Sequence, residues 1–200
     1  EEVQGQLYAR LSPKYRTNAS AYLDYIELHK SAAQAEMKKY KIPASVTIAQ
    51  GLLETNAGRS FLARQANNHF GIKCRTRPNF KKDGIQNTDF YPHALAFDCV
   101  QLHDDYHWDR FEVYASTRAS FRRHSLLLCD RRYRWMIDAY PVGGIYEIEK
   151  PLYGNHRVPY FAAWCLGLKV SGYATAPRYA ETLVLLVDTY ELWRLDYELF

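Results

Sequence analysis

The sequence predicts a mainly α fold of the α+β kind: a helical lobe, a small irregular β-lobe, and a cleft between them. Three observations predict it. Apolar residues recur at steps of three and four before residue 55 and again after residue 115. Residues 69–115 lose that period and scatter Gly, Pro and Asn instead. No internal repeat or low-complexity tract interrupts the pattern. The chain has 200 residues, 48% of them hydrophobic, which is enough for one domain with a real core. Residues 1–17 read as a polar lead-in containing Pro13, and residues 18–200 as a single domain.

Each element has a local reason. Asn18 or Ser20 can cap a helix that runs to about Tyr40, with the stripe Tyr22, Ile26, His29, Ala33, Met37 and Tyr40. His29 lies on the stripe and reads as a core histidine. Pro43 suits the first turn of the next helix, Ala44 to Glu54. That helix is apolar round most of its circumference, which predicts burial. Its polar exceptions, Thr47, Gln50 and Glu54, fall on one narrow line. Asn56-Ala57-Gly58 supplies a stop.

In the central region Ala94 to Leu102 partly alternates, and Arg110 to Ala115 reads as a second short strand. Ser116 can cap a helix through about Cys129. Residues 140–158, with Gly143-Gly144, read as a loop. Tyr160 to Ser171 reads as a buried helix ended by Gly172. A last helix starts near Pro177 with the stripe Tyr179, Leu183, Leu186, Tyr190 and Trp193.

Composition narrows the partners. Net charge is +4, and the basic residues are dispersed. A nucleic-acid-binding face is denser, so no nucleic-acid partner is expected. No apolar run reaches the roughly eighteen residues of a membrane span. The 17 tyrosines offer rings on which sugar faces stack, although most belong in the core. Cys74, Cys99, Cys129 and Cys165 lack the spacing of a zinc site and leave open three full pairings or free buried thiols. His103-Asp104-Asp105-Tyr106-His107 lacks the zinc-protease pattern and reads as a solvated turn or cleft rim. No metal and no cofactor are expected.

Glu54 is the strongest candidate for chemistry. Burial disfavours a charged carboxylate, and the carbonyls of a last helical turn repel an anion. Both effects keep a proton on the acid, which is what protonating a departing sugar oxygen requires.

The stretch from Ile42 to Glu54, then Gly58-Arg59-Ser60, then Ala66 to Cys74, resembles family-73 glycoside hydrolases, the bacterial N-acetylglucosaminidases of the lysozyme superfamily. Gly167-Leu168-Lys169 and Gly172-Tyr173-Ala174-Thr175, followed by Pro177, Tyr179 and Ala180, extend the match. Asp104-Asp105, Phe111 with Tyr114, and His124-Ser125 match more weakly. The resemblance covers roughly residues 22–196.

What it implies is a lysozyme-like fold and cleavage of the β-1,4 bond after N-acetylglucosamine in peptidoglycan. Glu54 would be the general acid. The family's second acid would be Asp105, then Asp104, with Asp109 and Glu112 behind them. Gln50, Asn68, Phe70, Tyr173 and Tyr179 would bind substrate, with Asn68 and Phe70 in a loop closing over the sugar. A monomer in the cell envelope, periplasmic or secreted, acting on glycan chains, is the corresponding expectation. A lytic transglycosylase or muramidase, or a wall-binding module without turnover, are the alternatives.

The sequence also departs from the family pattern. Residues 75–95 are additional. Glu112 stands where the family often has Arg after the Phe. Arg123 stands where an Asp usually precedes His-Ser. Ala176 replaces a capping Asp, leaving Thr175 as the substitute cap.

Overall fold

The computed structural model describes residues 19–77, 89–104 and 107–197, apart from the side chains of residues 104, 107 and 108. The expected lead-in, 1–17, lies outside the described residues, as do residues 78–88 of the expected insert. The chain forms two compact units, one of Glu1–Leu53 with Ser125–Phe200, the other of Glu54–His124.

The first unit is mostly helical. Helix α1, Ala19–Tyr40, buries Tyr22, Tyr25, His29, Ala33 and Met37. Tyr25 takes the inward place that the spacing gave to Ile26, which is only partly covered. Its ring lies against Gly51 of helix α2, Ala44–Thr55, where any Cβ would collide with it. From Ala44 to Leu52, α2 is buried all round, as its composition requires. Asp196 anchors its first turn. This buried carboxylate accepts from the Ser45 amide at 2.8 Å, from the Ser45 hydroxyl and from the Tyr160 hydroxyl.

Residues 140–158 are not the loop that their glycines suggested. They hold the antiparallel hairpin of β5, Ile145–Leu152, and β6, Asn155–Pro159. Tyr153 (φ 49°) and Gly154 (φ 81°) form a two-residue turn with both φ positive, as a tight hairpin requires. Pro151 is tolerable because the ribbon has only two strands and each is an edge. Before it comes a short helix, α5, Trp135–Ala139. Helices α6, Tyr160–Val170, and α7, Tyr179–Thr189, pack together after it. The last helix stops earlier than its stripe suggested. Glu191 is left-handed (φ 51°), and Leu192–Asp196 winds as a 3₁₀ turn carrying Trp193.

The second unit starts at the last turn of α2. Asn56, Ala57 and Gly58 all adopt positive φ, which turns the chain into α3, Phe61–Ala66. The Ser60 hydroxyl caps α3 by accepting from Ala63 N. A long hairpin follows, β3 (Ala96–Asp104) with β4 (His107–Tyr114), paired from Ala96↔Tyr114 to Asp104↔His107. The segment 72–74 adds to its free side through Glu112 N→Ile72 O and Cys74 N→Arg110 O. A disulfide joins Cys74 to Cys99. A small ribbon, β1 (Arg75–Thr76) with β2 (Phe90–Tyr91), carries the ends of the insert. Helix α4, Thr117–Leu128, leaves this unit at His124, and the Ser116 hydroxyl accepts from Ala119 N at its start.

Candidate active site

Glu54 occupies the penultimate position of α2, as expected, but it is exposed. This corrects the predicted burial. The all-round apolar surface ends at Leu52, and the left-handed run at 56–58 turns the chain away directly after the helix. The final turn therefore leaves the Glu54 side chain open, although Thr55 beside it stays buried. What stands from the electrostatic reading is the position of Glu54 among the terminal carbonyls of α2. Gly71, at φ 62°, brings its backbone close: a Cβ there would lie 3.7 Å from Glu54 Oε2. That conformation and that approach are the physical reason for the glycine.

The loop that carries Gly71 is built by Asn68, which is 1% exposed. Its amide nitrogen donates to the carbonyls of Ile72 and Glu112, both at 2.9 Å. Its amide oxygen accepts from Ile72 N at 3.1 Å and from Phe70 N at 3.4 Å. All four bonding positions of the amide are used inside the protein. Phe70, 2% exposed, stacks on His124 at 3.9 Å and meets Phe121 edge-on. Asn68 and Phe70 therefore shape the loop from within, which corrects their expected place on the sugar side.

The candidates for a second acid separate clearly. Asp105 lies outside the described residues. Asp104 closes the β3–β4 ladder opposite His107, and its side chain is likewise outside them. Asp109 pairs with Lys73 Nζ at 2.7 Å. Glu112 is fully buried and committed: it accepts from Arg123 Nε at 3.0 Å, from His93 N at 3.0 Å and from the Tyr114 hydroxyl. It is thus a structural carboxylate and no longer a candidate acid. The two departures at 112 and 123 are one feature. An acid where the family often has a base faces a base where it usually has an acid.

In the first unit, Gln50 is buried and donates to the Tyr179 hydroxyl at 2.9 Å. Tyr179 is 3% exposed and stacks on Tyr173 with ring centroids 6.0 Å apart. Tyr173 alone of the three is partly open, and its edge meets Tyr133. Gln50 and Tyr179 thus form the support, and Tyr173 the partly open ring. Sequence reasoning missed what holds Tyr173. Lys169 Nζ donates to the carbonyls of Ala174, Thr175 and Ala176 at 2.7–3.2 Å. From the other side Arg132 Nε donates to Ser171 O at 2.5 Å, and its Nη2 to Gly172 O. Thr175 does not cap the following helix, whose N-cap position, Arg178, makes no side-chain cap bond. The signal was present in the Gly167-Leu168-Lys169 block, but it did not say what the lysine binds.

A family model described as mannosyl-glycoprotein endo-beta-N-acetylglucosaminidase matches residues 30–192. The chain is 29% identical over 177 residues to the exo-glucosaminidase LytG of Bacillus subtilis, covering 88% of this chain and 52% of that protein. It thus spans about half the length of that relative. Its fold superposes on the catalytic domain of the autolysin Auto from Listeria monocytogenes with a TM-score of 0.56 at 23% identity. That match covers 93% of this chain and 98% of the other. The glycoside hydrolase domain of FlgJ from Salmonella typhimurium gives a TM-score of 0.55 at 18% identity, covering 85% and 88%. At these identities the structural likeness speaks to the fold.

Proposed function

The chain belongs to the glucosaminidase family, and from that premise we propose that it hydrolyses β-1,4 bonds after N-acetylglucosamine in peptidoglycan, with Glu54 as general acid. The observation that carries the reading is the match over residues 30–192, which includes an exposed carboxylate at the C-terminal end of a buried helix. The family's fold is the lysozyme-like α+β fold, and the elements described here agree with it.

The chemistry follows from position. An acid must reach the glycosidic oxygen as the bond breaks, so exposure in the free protein suits Glu54. A glycan laid over it would remove water, and the terminal carbonyls of α2 would then weigh more heavily against its anion. Tyr173 offers a ring to a sugar face, held from behind by Tyr179 and Gln50. The second carboxylate is proposed, on the family resemblance alone, to be Asp105 first and Asp104 next. The Cys74–Cys99 disulfide supports an oxidising location at the cell envelope. Among the described residues no helix is long and apolar enough to cross a membrane.

Purified protein should release new reducing N-acetylglucosamine ends from peptidoglycan. Glu54→Gln keeps the size and removes the acid, and kcat should fall by about 10²–10⁴-fold. Full activity in that variant sinks the assignment. Anhydro-muramic products identify a lytic transglycosylase instead, and binding with no product identifies a wall-binding module.

A further inference from the structure

A cavity of about 290 Å³ lies within the first unit, walled by the β5–β6 hairpin and by helices α6 and α7. Small-molecule pockets start at about this size, so it suits one amino-acid-sized group and not a disaccharide. Leu152, Phe161 and Val184 give it apolar walls, and two opposite charges line it, Asp188 from α7 and Arg157 from β6.

The Asp188 side chain is half-buried and, among the described residues, has neither a hydrogen-bond donor nor a cation as partner. Burial holds its carboxyl above the usual carboxylate range. A carboxylate kept for structure is normally paired, as Asp196 and Glu112 are here. Arg157 is mostly exposed, reaching only the equally exposed Glu147 at 3.2 Å. The wall of the cavity is fixed, because the Tyr153 hydroxyl of the hairpin turn donates to Glu181 O of α7 at 2.8 Å. An open carboxylate, an apolar passage and a guanidinium held only by an exposed ion pair ask for an ammonium on an alkyl stem with a carboxylate nearby.

We propose that this cavity binds the amine-bearing side chain of a diamino acid in the peptide part of peptidoglycan. Its ammonium meets Asp188, its alkyl stem lies along Leu152 and Phe161, and a peptide carboxylate faces Arg157. The proposal rests on the reading of the chain as a peptidoglycan hydrolase, because that polymer joins amine-bearing stems and carboxylates to the glycan. N-acetylated sugars have no free amine and offer Asp188 no cation. Acylating the amine, as a cross-link does, removes the charge, so the cavity distinguishes free stem peptides from linked ones.

The test is calorimetric titration with the tripeptide Ala-γ-Glu-Lys and with the same peptide acetylated on the lysine amine. Wild type should bind the free amine. Acetylation, or Asp188→Asn in the protein, should weaken binding at least tenfold, and Arg157→Gln about threefold. Equal binding of both peptides, or no binding of either, overturns the proposal without depending on how any variant folds. Asp188→Asn that melts like wild type and binds undiminished also overturns it. Hydrolysis of peptide-free glycan is measured in parallel and should be equal in wild type and Asp188→Asn. Glycan cleavage without peptide binding defeats this proposal alone. Peptide binding without any glycan cleavage defeats the hydrolase reading and leaves the cavity assigned.

Discussion

In the helical unit the buried anchor is Asp196, a carboxylate served by an amide and two hydroxyls. In the β-containing unit it is Glu112, served by the Arg123 guanidinium together with Tyr114 and the His93 amide. Burial holds Asp196 above the usual carboxylate range, its hydrogen bonds opposing. Glu112 instead has a matching cation, 9% exposed, against a carboxylate that is fully buried. The difference teaches where each unit is fragile. Neutral donors can lose one member and leave no orphaned charge, but an ion pair cannot.

The largest expected effect breaks that pair. Arg123→Met should destabilise the protein by about 3–5 kcal/mol, because Glu112 is left buried without its cation. Asp196→Asn should cost less, about 1–2 kcal/mol, in the same urea titration. If the two losses are equal, the contrast between the units is wrong. The exchanged pair Glu112→Arg with Arg123→Asp, which restores the usual family polarity, should recover much of what Arg123→Met loses.

Next in size is the disulfide, which closes a separation of 25 residues in the second unit. Cys74→Ser with Cys99→Ser should cost about 3 kcal/mol by chain entropy, read from thermal melts with and without reductant. Gly51→Ala tests the first unit through a tight helix approach. The added methyl meets the Tyr25 ring, and overpacking should cost about 1–3 kcal/mol. Tyr25→Phe in the same chain should restore part of it, since the hydroxyl is the nearest atom.

The smallest effect is read over one pH unit. Burial lowers His29 of the first unit to about 4. Burial, with Arg123 beside it, lowers His124 of the second to about 3. Both rings are neutral in the fold and take protons more readily when unfolded. Stability is therefore complete above about pH 6.5 and falls as pH drops toward the folded values, by about 1 kcal/mol per unit for each ring. Asp196 acts in the opposite sense, because its raised carboxyl favours the fold as it gains a proton. His124→Phe should flatten the acid limb more deeply into low pH than His29→Phe.

Much of the helical unit was legible in the sequence because its elements carry long periods and clear stops. Ala19–Tyr40, Ala44–Thr55 and Tyr160–Val170 fall within a residue or two of their expected spans. The hairpin 145–159 was not legible, because Gly and Pro mark a tight turn and a loose loop alike. A helix pattern also says which face is apolar but not where the covering chain ends, so Glu54 was placed correctly and its exposure was not. Glu112 and Arg123 stood out only as two separate departures. Nothing in a spacing of eleven residues says that they meet. Asn68 was misassigned for a related reason: a side chain that bonds four backbone groups leaves no periodic trace.

Lys169 has a consequence of its own. Its ammonium sits in a cage of three carbonyl oxygens, the arrangement by which many loops hold a calcium ion. Here the cation is tethered to helix α6 by its own side chain. A chelator cannot strip it, and a change in divalent-ion level cannot empty it. The segment bearing Tyr173 therefore needs no bound metal ion for this contact. Chemistry that neutralises the amine itself, such as carbamylation, would remove this hold and leave the segment to Arg132 alone.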